Sequence, residues 1–271
     1  MQLIALGGDL RMNGLLRAAR RAGFSCRHIK ACEELETLPP STDVVVLPWP
    51  RSVVGGCLAH TQIKVENLCD YMPMCDVLLG GELNDALIGC TKAVVNPAQD
   101  EEFLVENAKL TAEGAIAALM SSGALMGKTC LITGFGRIAA ALTQRLCAME
   151  MFVIVCARNE SQMHRAHQMG AHPVPLEQIA SAGAQADVVI NTVPARVFTA
   201  EALAQMKPGV RFLELASPPY GADPEQAAKL GVSMEIMGSL PGKYAPEQAG
   251  AALFRALERF MRQSEAKKED A

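Results

Sequence analysis

Short apolar runs alternate along the chain with stretches in which apolar residues recur every three or four positions. In the first hundred residues, the apolar runs lie at 3–6, 26–29, 43–47, 76–79 and 93–95. Continuous runs of this length are typical of parallel strands, and the spacing between them is typical of amphipathic helices. The pattern predicts a first, substrate-side domain over residues 1–100, an open α/β domain of about five strands.

Residues 101–122 keep the helical spacing without a break, which predicts a long crossing helix over 101–126 between two domains. Gly114 lies in its middle, where a glycine costs about 1 kcal/mol relative to alanine. This glycine indicates either the close approach of another backbone or a ligand, or tight helix packing with the neighbouring Glu113 simply solvated. The position of Gly114 in the helix favours neither interpretation over the other.

Strand and helix patterns alternate again over residues 127–240. The expected strands lie at 130–133, 152–156, 172–174, 187–191, 210–215 and 232–237. They predict a doubly wound Rossmann sheet of about six strands. The last segment, 241–271, contains a helix expected to fold back toward the cleft between the domains, over 245–262, and a charged, frayed tail over 264–271. The fold class is therefore α/β, with two open doubly wound domains.

A glycine turn joins the first strand of the second domain to its helix. Gly134 permits the tight turn, Gly136 lets the backbone approach a pyrophosphate, and Ala139 allows helix and strand to touch. The helix N-terminus offers N–H groups to phosphates. The motif alone is weak evidence, but the strand, helix and next strand around it favour a dinucleotide site. Its candidate residues are Gly134, Gly136, Arg137, Ile138, Ala157, Arg158, Asn159, Thr192, Val193 and Pro194.

The end of the second Rossmann strand indicates which nucleotide binds. An NAD enzyme has an acidic residue there, which binds the ribose hydroxyls. This chain has Ala157 followed by Arg158, and a guanidinium can bind a 2′-phosphate with charge-assisted hydrogen bonds. We therefore predict NADP rather than NAD. The alternative is an ordinary surface arginine beside a promiscuous site, and Arg137 on the glycine loop either adds a phosphate contact or points to solvent.

Composition excludes several other classes of protein. The formal charge of −4 argues against nucleic acid and anionic membranes as partners, and no apolar run approaches the roughly 20 residues of a membrane helix. The nine cysteines are odd in number and contain no C-x-x-C pair. They predict reduced thiols in a cytoplasmic protein and no metal site.

The histidines bear on catalysis. A 2-hydroxyacid dehydrogenase of this layout would use a late His–carboxylate pair as its acid–base, but no histidine follows His172. The polar candidates at the strand ends are instead Ser217, Ser239 and Lys243. Lys243 either receives a substrate carboxylate, carries a proton, or is a surface lysine, which is the commoner case.

Several segments together carry a family resemblance. They are Gly7-Gly8-Asp9-Leu10-Arg11, Thr111-Ala112-Glu113-Gly114, the glycine turn from Gly134 to Ala139, Ala157-Arg158, the stretch from Ile190 to Pro194, Leu215-Ala216-Ser217, and the stretch from Leu240 to Pro246 with Ala249-Gly250. In these segments the chain resembles the A subunits of dipicolinate synthase from spore-forming bacteria, nearly from end to end. The glycine loop is generic, whereas the combination of the first and last segments is much more specific.

The resemblance implies a component of a two-part oxidoreductase that works as an oligomer with a flavoprotein-like B subunit. The family oxidises dihydrodipicolinate, or its hydroxylated tetrahydro precursor, to dipicolinate in the cytoplasm of the mother cell during sporulation. NADP would accept the hydride. The small dicarboxylate would be bound through cationic or N–H-rich contacts, and Glu113, Asp9 or Lys243 would handle the proton. The substrate-binding candidates are Gly8, Arg11, Ser217, Ser239 and Gly242.

Two other functions stay open from the sequence. One is another two-domain NAD(P)-dependent dehydrogenase of a small acid, against which the missing late histidine counts. The other is a non-catalytic, nucleotide-binding regulatory or scaffold subunit, with the chemistry carried out by its partner.

Overall fold

The computed structural model describes residues 1–269, in which strands and helices alternate throughout. The elements up to residue 120 are β1 Gln2–Leu6, α1 Arg11–Arg21, β2 Ser25–Ile29, β3 Ser41–Val46, β4 Val53–Val54, β5 Cys57–Leu58, α2 Val65–Tyr71, β6 Met74–Leu79, α3 Asp85–Ile88, β7 Thr91–Val95 and α4 Glu101–Met120. Those that follow are β8 Thr129–Thr133, α5 Arg137–Ala148, β9 Phe152–Ala157, α6 Glu160–Gln168, β10 His172–Pro175, α7 Ile179–Gln185, β11 Val188–Asn191, α8 Ala200–Ala204, β12 Arg211–Glu214, α9 Pro224–Lys229, β13 Met234–Ile236, α10 Leu240–Tyr244 and α11 Pro246–Glu269. Short 3₁₀ turns lie at Cys32–Thr37, Pro97–Gln99 and Leu176–Gln178.

The chain forms two units. Unit 1 combines Met1–Asn107 with the chain from Pro241 onward, and unit 2 is the continuous segment Ala108–Leu240. The first division therefore falls inside α4, and the second falls inside α10.

Unit 1 is built on a five-stranded parallel sheet with the order β2-β1-β3-β6-β7. These are the five strands that the apolar runs predict, which confirms an open α/β domain. Because the strands are covered on both faces, their side chains are apolar in either direction: Leu3 and Val44 lie in one core cluster, and Ile4 and Val45 in the other. The hairpin β4–β5 was not predicted from the sequence, although Gly55 and Gly56 at its turn were a usable signal.

Helices α1 and α11 cover one face of this sheet and pack against each other without space for side chains at two positions. A Cβ added to Gly250 would lie 1.9 Å from the carbonyl oxygen of Arg11, and one added to Gly14 would lie 2.4 Å from that of Glu247. Around this contact Leu15 and Leu253 are buried in a shared core. The two glycines therefore set the close approach of the two helices.

Unit 2 is built on a six-stranded parallel sheet with the order β10-β9-β8-β11-β12-β13. Numbered within the unit this is 3-2-1-4-5-6, the order of a dinucleotide-binding Rossmann sheet. The order in which successive strands are added to the sheet reverses between β8 and β11. These two parallel strands pair through Thr133 and Asn191 at their carboxyl ends. Ligands of such sheets bind outside those ends. The predicted fold class is confirmed.

Two predictions at the end of the chain were wrong. The helix expected to begin at residue 245 is preceded by another helix, α10, which the sequence did not predict; Pro241 lies in the first turn of α10, where no N–H bond is lost. The tail expected to fray from residue 264 continues α11 to Glu269, because its residues are good helix formers and Ser264 donates to the carbonyl of Phe260 at 2.9 Å. Residues 270 and 271 lie outside the described residues.

Candidate functional site

The glycine turn between β8 and α5 is shaped by backbone conformation. Gly134 has φ +79°, and its N–H donates to the carbonyl of Cys156 at 2.8 Å. A Cβ there would lie 2.7 Å from Cγ2 of Val193, so only glycine fits. A Cβ at Gly136 would meet nothing within 4 Å. The first glycine therefore closes the turn against the end of β11, and the second leaves its outer surface open.

Helix α5 begins directly after this turn without a side-chain cap. Gly136 is its N-cap residue, and the first carbonyl bond of the helix runs from the N–H of Ala140 to Gly136. The N-cap residue, a glycine, supplies no side-chain cap to the first turn, a feature compatible with a phosphate at this helix N-terminus. Ala139 is fully buried, which allows the helix to sit close to the sheet. The open turn and the uncapped helix fit the pyrophosphate of a dinucleotide.

The end of β9 carries the residues expected to determine whether NAD or NADP binds. Ala157 is buried, whereas Arg158 and Asn159 are exposed. Oδ1 of Asn159 accepts the N–H of Gln162 at 2.8 Å and caps α6, so this side chain has a structural role. On the glycine turn, Arg137 is exposed and Ile138 is half-buried against the core. The end of β9 therefore presents an exposed arginine in place of an acidic residue.

The segment after β11 is held by side chains at its start. Asn191 is fully buried: its Oδ1 accepts from the hydroxyl of Thr133 and from the N–H of Val193, and its Nδ2 donates to the carbonyl of Val193. The hydroxyl of Thr192 donates to the carbonyl of Thr133 at 2.7 Å. Pro194 is exposed. The segment 191–194 is therefore a fixed turn beside the carboxyl end of β8.

Glu214, at the end of β12, is a functional candidate that sequence reasoning missed. It is only 1% exposed. Its carboxylate accepts from Nδ2 of Asn191 at 2.7 Å and from the N–H groups of Ala216 and Gly221 at 2.9 and 2.8 Å. Burial raises the pKa of Glu214 above its ordinary value, and the three hydrogen bonds oppose that rise. The available signal was a charged residue inside the apolar run 210–215.

In unit 1 the predicted proton-handling residue Asp9 lies together with the predicted substrate residues Arg11 and Gly242. Arg11 is 7% exposed, and its Nε and Nη2 donate to the Asp9 carboxylate at 2.9 and 2.8 Å. A Cβ at Gly242 would lie 3.0 Å from Oδ2 of Asp9 and 3.1 Å from Nε of Arg11. Burial alone would raise the pKa of Asp9, but the hydrogen bonds and charge of Arg11 outweigh burial and hold that pKa below its ordinary value.

The N–H groups of the Gly7-Gly8 loop are already bonded, contrary to the expectation that they would receive a substrate carboxylate. The N–H of Gly7 donates to Ile29 at 2.8 Å, and that of Gly8 donates to Ala59 at 3.2 Å. Nε2 of His28 lies 2.8 Å from the carbonyl of Gly7, and burial lowers the pKa of this imidazole. The loop is thus fixed by its neighbours, and Gly8 contributes shape rather than a donor.

The remaining candidates are exposed. In unit 2, Glu113 on α4 pairs with Nη2 of Arg145 at 3.0 Å, and Ser217 and Ser239 are exposed, the latter with φ +58°. In unit 1, Lys243 is exposed on α10. The structure therefore brings together Asp9, Arg11 and Gly242 in unit 1, while Glu113, Ser217 and Ser239 belong to unit 2.

The described residues contain neither a membrane span nor a metal cluster. None of their helices is long and apolar enough to cross a membrane. The side chains described, up to residue 266, include no group of three or more His, Cys, Asp and Glu placed to hold a metal ion. All nine cysteines are free thiols, and burial raises the pKa of Cys156 to about 11, so this thiol stays protonated at neutral pH.

Comparison with known proteins defines the class first. Residues 103–218 match the family model described as D-isomer specific 2-hydroxyacid dehydrogenase, NAD binding domain. This match covers the strands of the Rossmann sheet from β8 to β12 and the glycine turn that precedes α5. The fold and the site therefore define a two-unit α/β protein with the nicotinamide-dinucleotide-binding domain of an oxidoreductase.

Within that class the chain is similar to the A subunit of dipicolinate synthase, which confirms the resemblance seen in its motifs. It is 27% identical over 236 residues to the A subunit from Bacillus subtilis (strain 168), covering 83% of this chain and 79% of that protein. Two crystal structures of the A subunit share the fold. The Bacillus halodurans structure has a TM-score of 0.79 at 24% identity, with 96% and 97% of the two chains covered. The Bacillus subtilis structure has a TM-score of 0.80 at 22% identity, with 98% and 97% covered.

Proposed function

We propose that the chain is the NADP-binding subunit of a dipicolinate synthase. In this proposal it oxidises dihydrodipicolinate, or its hydroxylated tetrahydro precursor, to dipicolinate in the mother cell of a sporulating bacterium. It acts there with a flavoprotein-like B subunit. The similarity to the A subunit of the Bacillus subtilis dipicolinate synthase supports the product and the presence of a further subunit.

One observation carries the choice of cofactor. The uncapped N-terminus of α5 follows an open glycine turn, and the neighbouring strand end carries exposed Arg158 where an NAD enzyme has an acid. An exposed guanidinium there attracts a 2′-phosphate, whereas the hydroxyl pair of NAD would find no carboxylate acceptor. This arrangement supports NADP over NAD.

Arg11 is our candidate for a substrate carboxylate, and Asp9 is its positioning partner. A general base works best with a pKa near the working pH, and the lowered pKa of Asp9 makes it a weak base. The bidentate contact instead fixes the guanidinium plane. Lys243, on the adjoining α10, adds a second cation for a dicarboxylate.

Aromatisation of the ring removes a hydride and a proton from the substrate, and a bound NADP supplies the hydride acceptor. The proton goes to a group of the chain or to water. With Asp9 committed to Arg11, Glu113 on α4 is our remaining carboxylate candidate, and its contact with Arg145 orients the side chain. Ser217 and Ser239 are exposed hydroxyls that serve as polar contacts in this proposal.

The test is a reconstituted assay. The purified chain is mixed with freshly generated dihydrodipicolinate and NADP, alone and with the B subunit, and dipicolinate and NADPH are measured. Formation of both products supports the proposal, and a matched reaction with NAD tests the cofactor. If activity needs both subunits, Gly136→Asp decides whether this chain contributes its cofactor, because the carboxylate would repel the pyrophosphate. Full activity of that variant would assign the chemistry to the partner and favour a regulatory role for this chain.

A second candidate is a dehydrogenase of a small 2-hydroxy acid, which the family match over residues 103–218 favours. The chain has no histidine after His172 to serve as a late acid–base. Reduction of small 2-oxo acids by the purified chain, without activity on dihydrodipicolinate, would replace our proposal with this one.

A further inference from the structure

Glu214 joins the two chain segments that follow neighbouring strands of unit 2. Residues 191–194 leave the end of β11, and residues 215–221 leave the end of β12. One carboxylate oxygen, Oε1, receives both the Asn191 side chain and the N–H of Ala216, while Oε2 receives the N–H of Gly221. A single buried side chain thus ties both segments to the sheet.

Both carboxylate oxygens of Glu214 must act as hydrogen-bond acceptors. All three partners of Glu214 are N–H donors, and an ionised carboxylate has acceptors only. A glutamine would turn an NH₂ group toward at least one of these donors and leave a buried N–H without a partner. A carboxylate at this position is therefore matched to the donors around it and not merely tolerated.

The effect of Glu214 reaches the 191–194 turn through Asn191. The amide oxygen of Asn191 accepts from the Thr133 hydroxyl and from the N–H of Val193. The amide nitrogen donates to the carbonyl of Val193 and to the Glu214 carboxylate. Each polar atom of this amide is used, so its orientation is fixed by the carboxylate. Gly221 closes over it, since a Cβ there would lie 2.6 Å from the Asn191 Cγ.

We propose that Glu214 is a positioning residue that holds the 191–194 turn in place for the nicotinamide–ribose half of the bound dinucleotide, acting through Asn191. The Glu214 side chain is buried, so in this proposal it acts without contacting the dinucleotide. The inference rests on the orientation of the dinucleotide in the proposed function, with its adenosine half at Arg158. It does not depend on the substrate or on the B subunit, so a failure of the dipicolinate assay leaves it standing.

The experiment compares a whole dinucleotide with a fragment that lacks the nicotinamide. NADPH binding is followed by the fluorescence of its nicotinamide, and 2′,5′-ADP binding by calorimetry, with NADH and AMP in parallel in case the chain prefers NAD. For Glu214→Gln we expect the Kd of the dinucleotide to rise about tenfold, as for a lost hydrogen bond to a charged group. The Kd of the fragment should stay within about twofold, because its site lies at the carboxyl ends of β8 and β9, in the other half of the sheet.

Thr133→Val provides a second, milder variant. It removes the hydroxyl that donates to Asn191 and keeps the side-chain shape, so the same selective weakening is expected even if Glu214→Gln does not fold. Glu235→Gln is the control, because Glu235 is a partly exposed carboxylate on the next strand that pairs with Arg211. Unchanged dinucleotide affinity in folded Glu214→Gln and in Thr133→Val would overturn the proposal. Equal weakening of dinucleotide and fragment would also overturn it, since that result indicates a general loss of the fold.

Discussion

Replacing Gly250 by alanine sets two physical effects against each other. Gly250 lies inside α11, and in a helix interior alanine is more stable than glycine by about 1 kcal/mol. The added Cβ, however, would lie 1.9 Å from the carbonyl oxygen of Arg11 and 2.5 Å from the backbone nitrogen of Leu15. These neighbours are backbone atoms of α1, which no rotamer change can move away.

The clash is the larger effect. To reach an ordinary contact of 3.4 Å, α1 and α11 must separate by about 1.5 Å at this point. Overpacking of a tight core costs up to about 3 kcal/mol. After the gain in helix propensity, we expect Gly250→Ala to lower the free energy of unfolding of unit 1 by about 2 kcal/mol.

The assay is urea unfolding followed by the fluorescence of the single tryptophan. Trp49 packs edge-on against Phe103 at 4.8 Å between ring centroids, and both residues belong to unit 1. Its signal therefore reports the unit that the substitution perturbs. The matched control in the same unit is Gly89→Ala, since Gly89 has φ −62° and a Cβ there would lie 3.5 Å from its nearest neighbours, an ordinary contact. Equal or greater stability of Gly250→Ala would refute the close approach of the two helices.

Three further predictions concern the site. Arg158→Ala should raise the Kd of NADPH by about ten- to a hundredfold in a binding titration and leave the Kd of NADH nearly unchanged, because only a 2′-phosphate uses the guanidinium. An equal rise in both Kd values would contradict the role of Arg158 in 2′-phosphate binding. Asp9→Asn should flatten the loss of stability as the pH falls below about 5. The lowered pKa of Asp9 contributes stability that is present above the pKa of the unfolded chain and is lost as the pH falls through the pKa of the folded protein, so parallel curves of unfolding free energy against pH for variant and wild type would disprove the contact with Arg11. Gly134→Ala should abolish dinucleotide binding in the same titration, because the turn needs φ +79° and the Cβ would lie 2.7 Å from the Val193 side chain; wild-type affinity would show that the turn is not constrained.

The parts of the fold that were predictable from the sequence are local ones. The strand, turn, helix and strand from Thr129 to Ala157 follow one another directly, so spacing and glycine placement were sufficient to predict them. The five strands of the parallel sheet in unit 1 were found for the same reason. The helix α10 was missed because Pro241 and Gly242 are poor helix formers, and its first-turn position, where proline is tolerated, was visible only in the structure.

The site was less predictable because its contacts join distant parts of the chain. Arg11 was selected for its charge, but its commitment to Asp9 and the fit of Gly242 against the pair depend on the packing of α10 in unit 1. In the same way, Glu214 meets Asn191 only because β11 and β12 are neighbours in register. Local patterns can nominate such residues, whereas burial and hydrogen-bond partners decide what they do.

The division of the chain has a consequence for the order in which it folds during synthesis. Unit 2 is continuous, whereas unit 1 is interrupted by it. The core that α1 shares with Leu253 and Leu257 of α11 stays incomplete until that helix leaves the ribosome. The dinucleotide-binding sheet can therefore fold first, and the helix that carries Arg11 is buried last.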